Sequence, residues 1–140
     1  MTFLTVRNVS STASISMAAS VEALNGDQSF INSNNESFLR RRNLVVKNLN
    51  ETPGLSCRTP EGAFYVFASC KGILGKKTET GKVLDTDGDF MDYLLEEVGV
   101  AGVQGSAFGL DGFFRISYAT SDSILEDACQ RIKKACSKLS

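Results

Sequence analysis

The chain has 140 residues, 42% of them hydrophobic and 22% charged, and its fifteen basic and sixteen acidic side chains leave a net charge of -1. That length supports one domain with its own core, and the charge balance carries no electrostatic footprint for nucleic acid or an anionic membrane. Histidine is absent, so the commonest general base and zinc ligand are missing and Ser-His-Asp or Cys-His mechanisms are excluded within these residues.

The N-terminal "MTFLTVRNVSSTASISMAAS" is rich in Ser and Thr and poor in acids, a composition that slightly resembles a transit peptide, for which two apolar patches and a single Arg are weak evidence. Residues 14–24 read as a short helix with Ile15, Ala18, Ala19, Val21 and Leu24 clustered on one side, stopped at Asn25-Gly26. A longer helix is expected over residues 27–50, where Ile31, Phe38, the stem of Arg42, Val45 and Leu49 keep a three-to-four spacing. The "RRR" run at Arg40, Arg41 and Arg42 lies inside it and reads as a solvated face or an ion-pair row. "TPG" at 52–54 ends the segment.

A turn at Thr59-Pro60-Glu61-Gly62 leads into a strand over residues 63–68. Phe64 and Val66 share one face and Tyr65 and Phe67 the other, so a strand covered on both sides is expected. Residues 71–82, with three glycines, read as a flexible loop. Asp85-Thr86-Asp87 then opens a helix whose Phe90, Met91, Leu94, Leu95 and Val98 form an apolar stripe, with Gly99 as its C-terminal stop. A short strand is expected over 100–103, a small-residue loop over 104–109 and a strand over 113–118. Thr120 or Ser121 caps a final helix that buries Ile124, Leu125, Ala128, Cys129, Ile132, Ala135 and Cys136. The fold class is α+β, with helices packed against a small, mostly antiparallel sheet.

Two patterns imitate ligand sites. Asp85, Asp87, Asp89 and Glu96 fall at calcium-loop spacing, but the sixth position is Phe90 where the sharp turn needs Gly, so helix capping explains the acids better. Gly72, Gly75, Lys76, Lys77 and Thr78 echo a phosphate loop without its spacing. The four cysteines form no C-x-x-C pair, so no metal site is expected; buried thiols in a reducing cytoplasm are.

"GLDGFFRISYATS", residues 109–121, poses the functional question. Alternation puts Phe114, Ile116 and Tyr118 on the core face, and Phe113, Arg115 and Ser117 on the other. Arg115 therefore either projects into a cleft, where its planar fork suits a carboxylate, or forms an ion pair with one of the acids. On strand pattern alone the ion pair is the commoner outcome. The preceding "QGSAFG" lets backbone approach a ligand closely or simply makes a tight connection.

Several motifs in order, "AASVEALNG" (18–26), "RRNLVVKNLN" (41–50), "TPEGAFYVF" (59–67), "GVAGVQGSAFG" (99–109), "FRISYATS" (114–121) and "ACQRI" (128–132), resemble the C-terminal part of fold-type I pyridoxal-phosphate aminotransferases. They are most similar to the bacterial-type aspartate aminotransferase group, class I subgroup beta. The resemblance implies that Arg115 binds the α-carboxylate of an amino-acid or 2-oxo-acid substrate, with Gly105, Ser106 and Phe108 shaping the cleft. It implies pyridoxal phosphate as cofactor, bound mainly by a large domain, which or a homodimer partner would complete the enzyme. It also implies that any second cationic contact for a dicarboxylic substrate lies outside this segment.

The chain departs from the family in Gln104 where Pro or His is usual, in Met17 where Gln is expected, and in lacking the "S-K-x-x-x-x-x-G-x-R" lysine motif. No catalytic residue is therefore assigned within it. The expected organisation is an irregular, non-native N-terminus (1–13), a helical segment leading from a large domain (14–50) and a C-terminal small domain (51–140). The apolar stripes over 15–24 and 38–49 are expected to pack on that large domain. The expected function is the carboxylate-clamping part of an aspartate aminotransferase, inactive alone; a non-catalytic amino-acid-binding module or a decayed remnant is the alternative.

Overall fold

A computed structural model describes residues 11–140; most of the irregular stretch expected over 1–13 lies outside them. The chain divides into two compact units, one ending at Asn34 and one spanning Asn35–Ser140. In the first, helix α1 (Ser14–Asn25) buries none of its residues, and Ile15, Met17, Val21 and Leu24 are exposed. Its end is set by Gly26, whose N–H donates to the Glu22 carbonyl at 2.7 Å.

Helix α2 (Phe30–Asn50) begins later than the expected residue 27, because Asp27 and Ser29 bond to each other: the Ser29 N–H and hydroxyl both donate to the Asp27 carboxylate. Its Val45, Val46 and Leu49 enter the core, and Phe38 packs against it. The stripe over 38–49 thus packs within the chain itself, against strands and helices that follow it. The arginine run becomes ion pairs: Arg40 and Arg41 both bond to Asp122, through Nε at 2.6 and 2.9 Å.

The sheet has four antiparallel strands in the order β1-β2-β4-β3. β1 (Ser56–Cys57) is short and was invisible in the sequence; it pairs with the end of β2 (Tyr65–Ser69). β2 starts two residues later than expected because Ala63 is left-handed (φ 60), which breaks extension before Tyr65. One sheet face carries Val66, Ala68, Phe114 and Ile116 onto the helices, where the Phe90 ring meets that of Phe114 edge-on at 5.5 Å. The other face carries Tyr65, Phe67, Phe113 and Arg115 and is only half-buried, contrary to the expectation of a strand covered on both sides.

The connection over 71–82 is anchored rather than loose. Ile73 and Leu84 are fully buried, Gly75 N–H donates to the Leu84 carbonyl, Leu84 N–H to the Lys76 carbonyl, and Lys77 exchanges both backbone bonds with Ser140. Helix α3 (Asp87–Val98) opens with a full capping box, Thr86 and Asp89 each accepting from the other's backbone. It buries Tyr93 in place of the expected Leu95, which is exposed; the Tyr93 hydroxyl donates to the Ala135 carbonyl at 3.1 Å. Gly99 and Val100 then donate their N–H groups back to Leu95 and Leu94. A strand cannot begin while Val100 is so engaged, so β3 is Val103–Gln104, not 100–103. A 3-10 turn (Gly105–Phe108), β4 (Phe113–Ser117) and α4 (Asp122–Ser137) complete the chain. Ser121 caps α4; Ile124, expected inside, is exposed, while Leu125, Cys129, Ile132, Ala135 and Cys136 are buried. No helix among the described residues is long and apolar enough to cross a membrane.

Candidate functional site

The antiparallel register sets Arg115 opposite Phe67 on β2 and Val103 on β3, and Tyr65 opposite Ser117. Paired residues share a face, so Arg115 rises from the middle of the half-buried face with aromatic neighbours from β2. Its guanidinium lies 4.4 Å from the centroid of Tyr65 and 4.4 Å from that of Phe108. Each such contact contributes about 0.5–1 kcal/mol at a partly exposed site. Together they pack the guanidinium against two rings. Phe67 extends the aromatic floor, stacked on Phe113 (5.6 Å, 7°) and edge-on to Phe108 at 6.0 Å.

The ion-pair alternative for Arg115 is not met: among the described residues no carboxylate lies within 4.0 Å of its guanidinium. It lines a cleft of about 440 Å³ whose rim is Arg58, Thr59, Pro60 and Glu61 and whose floor is Tyr65 and Phe67, within the size range of small-ligand sites.

Phe108 reaches Arg115 because the turn that carries it is seated. Gly105 is buried, and a Cβ there would strike the Leu110 carbonyl and come within 2.8 Å of Phe113. Only glycine lets the chain run that close to β4. The next residue, Ser106, donates its N–H at 2.7 Å to Oδ2 of Asp87, an almost fully buried carboxylate in the first turn of α3. Gly109, left-handed at φ 79, closes the turn with bonds back to Gly105 and Ser106. Of the three residues expected to shape the cleft, Phe108 meets Arg115, Gly105 and Ser106 seat the turn that carries it, and none of the three is among the residues that line the cleft. The acids that imitated a calcium loop have other work: Asp89 is the capping partner of Thr86, and Asp87 seats Ser106.

The opposite rim is braced as well. Arg42 donates to the Pro60 carbonyl at 3.1 Å, and the Tyr118 hydroxyl to the Ala63 carbonyl at 2.8 Å. Tyr65, Asp87 and Tyr118 were read from the sequence as strand and helix residues and not assigned to the site. Tyr65 carried a signal, its place beside Phe67 on one strand face; Asp87 carried none that separated it from an ordinary helix-opening acid.

Pyridoxal phosphate, implied by the resemblance, needs a lysine to hold it as a Schiff base. No lysine lines the cleft beside Arg115, so the residues there suit a carboxylate and do not by themselves fit the cofactor.

Residues 4–132 match the family model described as aminotransferase class I and II. An aspartate aminotransferase of Rhizobium meliloti (strain 1021) is 60% identical over 128 residues, which is 91% of this chain and 31% of that protein. A crystal structure of the aspartate aminotransferase from Rhizobium meliloti superposes with a TM-score of 0.92 at 56% identity, covering 99% of this chain and 34% of that one. An aspartate aminotransferase from Thermus thermophilus with maleate gives 0.78 at 30% identity, covering 94% and 32%. The chain thus spans about a third of the length of the proteins it matches. With the helices, the antiparallel sheet and the match across nearly its whole length in agreement, the chain belongs to the aminotransferase class I and II family.

Proposed function

We propose that this chain is the substrate-carboxylate-binding portion of a pyridoxal-phosphate-dependent aminotransferase of the aspartate type, with Arg115 as the group that grips the α-carboxylate. The observation that carries this reading is the state of Arg115: a guanidinium fixed between Tyr65 and Phe108 at 4.4 Å, without an acidic partner among the described residues, at the wall of a cleft. A guanidinium already packed against two rings loses little rotamer freedom when two parallel N–H···O bonds form to a carboxylate. Tyr65 and Phe67, which line the cleft, keep water from one side and strengthen the pair.

Aminotransferases of this family use pyridoxal phosphate as an electron sink. The residues described here contribute orientation, by fixing one end of the amino acid or 2-oxo acid on a rigid strand. Among the described residues no lysine lines the cleft beside Arg115 to move a proton there. Amino-group transfer by the 140 residues alone is therefore not expected.

The test has two arms. Mixed with pyridoxal phosphate, L-aspartate and 2-oxoglutarate, the chain is expected to give no oxaloacetate above the rate of the free cofactor; enzyme-like turnover would overturn the inactivity. Carboxylate binding, followed by NMR shifts of the Arg115 side chain, is expected to weaken about tenfold or more in Arg115→Lys, because a point charge replaces a bidentate fork. Equal binding by both forms would remove Arg115 from its role.

A further inference from the structure

Among the described residues Ala63 is the only non-glycine with a left-handed backbone, at φ 60. The Cβ of an L residue is crowded in that conformation, which persists only where the surroundings hold it. Gly62, its neighbour, has the freedom to turn that way without crowding, yet the turn falls on Ala63. What holds it there is Tyr118, just past the end of β4. The Tyr118 hydroxyl donates to the Ala63 carbonyl at 2.8 Å, and the Tyr118 N–H donates to the Phe64 carbonyl at 2.9 Å. The residue is 2% exposed and its ring meets that of Phe38 edge-on at 6.3 Å, so the hydroxyl is fixed in place. One buried residue thus secures two successive carbonyls of the segment that enters β2.

This hold sits where the rim of the Arg115 cleft joins its floor. Glu61, two residues before Ala63, is on the rim, and Tyr65, two residues after it, is on the floor with its ring 4.4 Å from the Arg115 guanidinium. Were Ala63 to relax to the extended backbone that its Cβ favours, the chain between Glu61 and Tyr65 would change direction, and the Tyr65 ring would shift against Arg115. We infer that Tyr118 is a positioning residue for this cleft: its hydroxyl holds Ala63 left-handed and thereby sets Tyr65 against Arg115. The consequence for ligand binding rests on the reading that Arg115 holds a carboxylate.

The test uses the 140-residue chain and two readouts. In the free chain, the NMR signal of the Arg115 Nε–H reports the rings packed on the guanidinium. Tyr118→Phe keeps the buried ring and removes only the hydroxyl; it is expected to move that signal. Adding Ala63→Gly, which lifts the crowding at positive φ, is expected to return the signal towards its native position. In titrations with L-aspartate, Tyr118→Phe is expected to weaken binding about fivefold, the equivalent of one neutral hydrogen bond, and the double variant to recover most of that loss. A Tyr118 that serves the core alone would lower the urea midpoint of Tyr118→Phe and leave the Arg115 signal and the affinity unchanged. That outcome overturns the inference, as does a Tyr118→Phe defect that Ala63→Gly fails to repair. Arg115→Met reads the underlying assignment separately: native affinity for L-aspartate there rejects the carboxylate reading, and the ligand-free signal then decides the role of Tyr118 by itself.

Discussion

Replacement of Asp87 is expected to loosen the site from a distance. Its carboxylate is 3% exposed and accepts the Ser106 N–H at 2.7 Å. In Asp87→Ala that acceptor disappears and three heavy atoms leave a packed position. A hydrogen bond to a charged group contributes about 1.5–3 kcal/mol, and a carboxylate in the first turn of a helix about 0.3–1 kcal/mol more. Ser106 itself is exposed, so water can take over its N–H, which places the loss in the lower part of that range, at about 2 kcal/mol. Asp87→Asn keeps an oxygen in place and is expected to cost about half as much. Urea unfolding followed by circular dichroism reads the first quantity, as a lower midpoint with an unchanged slope. Amide hydrogen exchange at Ser106 reads the second, with faster exchange in Asp87→Ala than any general destabilisation accounts for. Because Phe108 ends the same turn and covers Arg115, carboxylate binding is expected to weaken in parallel. An Asp87→Ala protein with native midpoint and native Ser106 exchange would refute the idea that this carboxylate seats the turn.

Two other outcomes follow from buried or paired titratable groups. Hydrogen bonds from Arg40 and Arg41 hold the Asp122 carboxyl down at about 2, below its usual value of 3.8. A depressed folded-state value means the unfolded chain takes up the proton first, so this contribution is complete above about pH 4 and is lost as the pH falls towards 2; acid-unfolding curves of Asp122→Asn should be flatter across that interval, and identical curves would remove the linkage. Burial pushes the thiols of Cys57, Cys70 and Cys129 up to about 11 and that of Cys136 to about 12, so an aromatic disulfide reagent at pH 8 is expected to leave the native chain unmodified and to titrate all four thiols in denaturant, whereas rapid native labelling would contradict the burial.

Periodic and capped elements could be read from residue order because their causes are local. The helix from Asp87 to Val98 shows its Thr86 cap and its Gly99 stop within neighbouring turns, and α4 shows its stripe and its Ser121 cap. Alternation along β4 placed Arg115 off the core face before any partner strand was known. Errors arose where a distant partner intervened. β1 is two residues long and exists only because it lies beside β2. The 71–82 connection has loop-like composition, yet Ile73, Leu84 and the contact of Lys77 with Ser140 pin it. Leu95 and Ile124 continue helical stripes past the point where any neighbour covers them.

The same division runs through the site. The order of residues by itself determined the α+β class, the strand that carries Arg115 and the motifs that mark the aminotransferase resemblance, because each depends on spacing within one element. Tertiary structure alone decided what surrounds that arginine. Tyr65, fifty positions earlier, and Phe108, on a turn seated by Asp87, meet the guanidinium only through antiparallel register and one long-range hydrogen bond. A charge that composition would pair with any of sixteen acids instead packs against two rings with no acidic partner among the described residues, because register, not residue type, selects its neighbours.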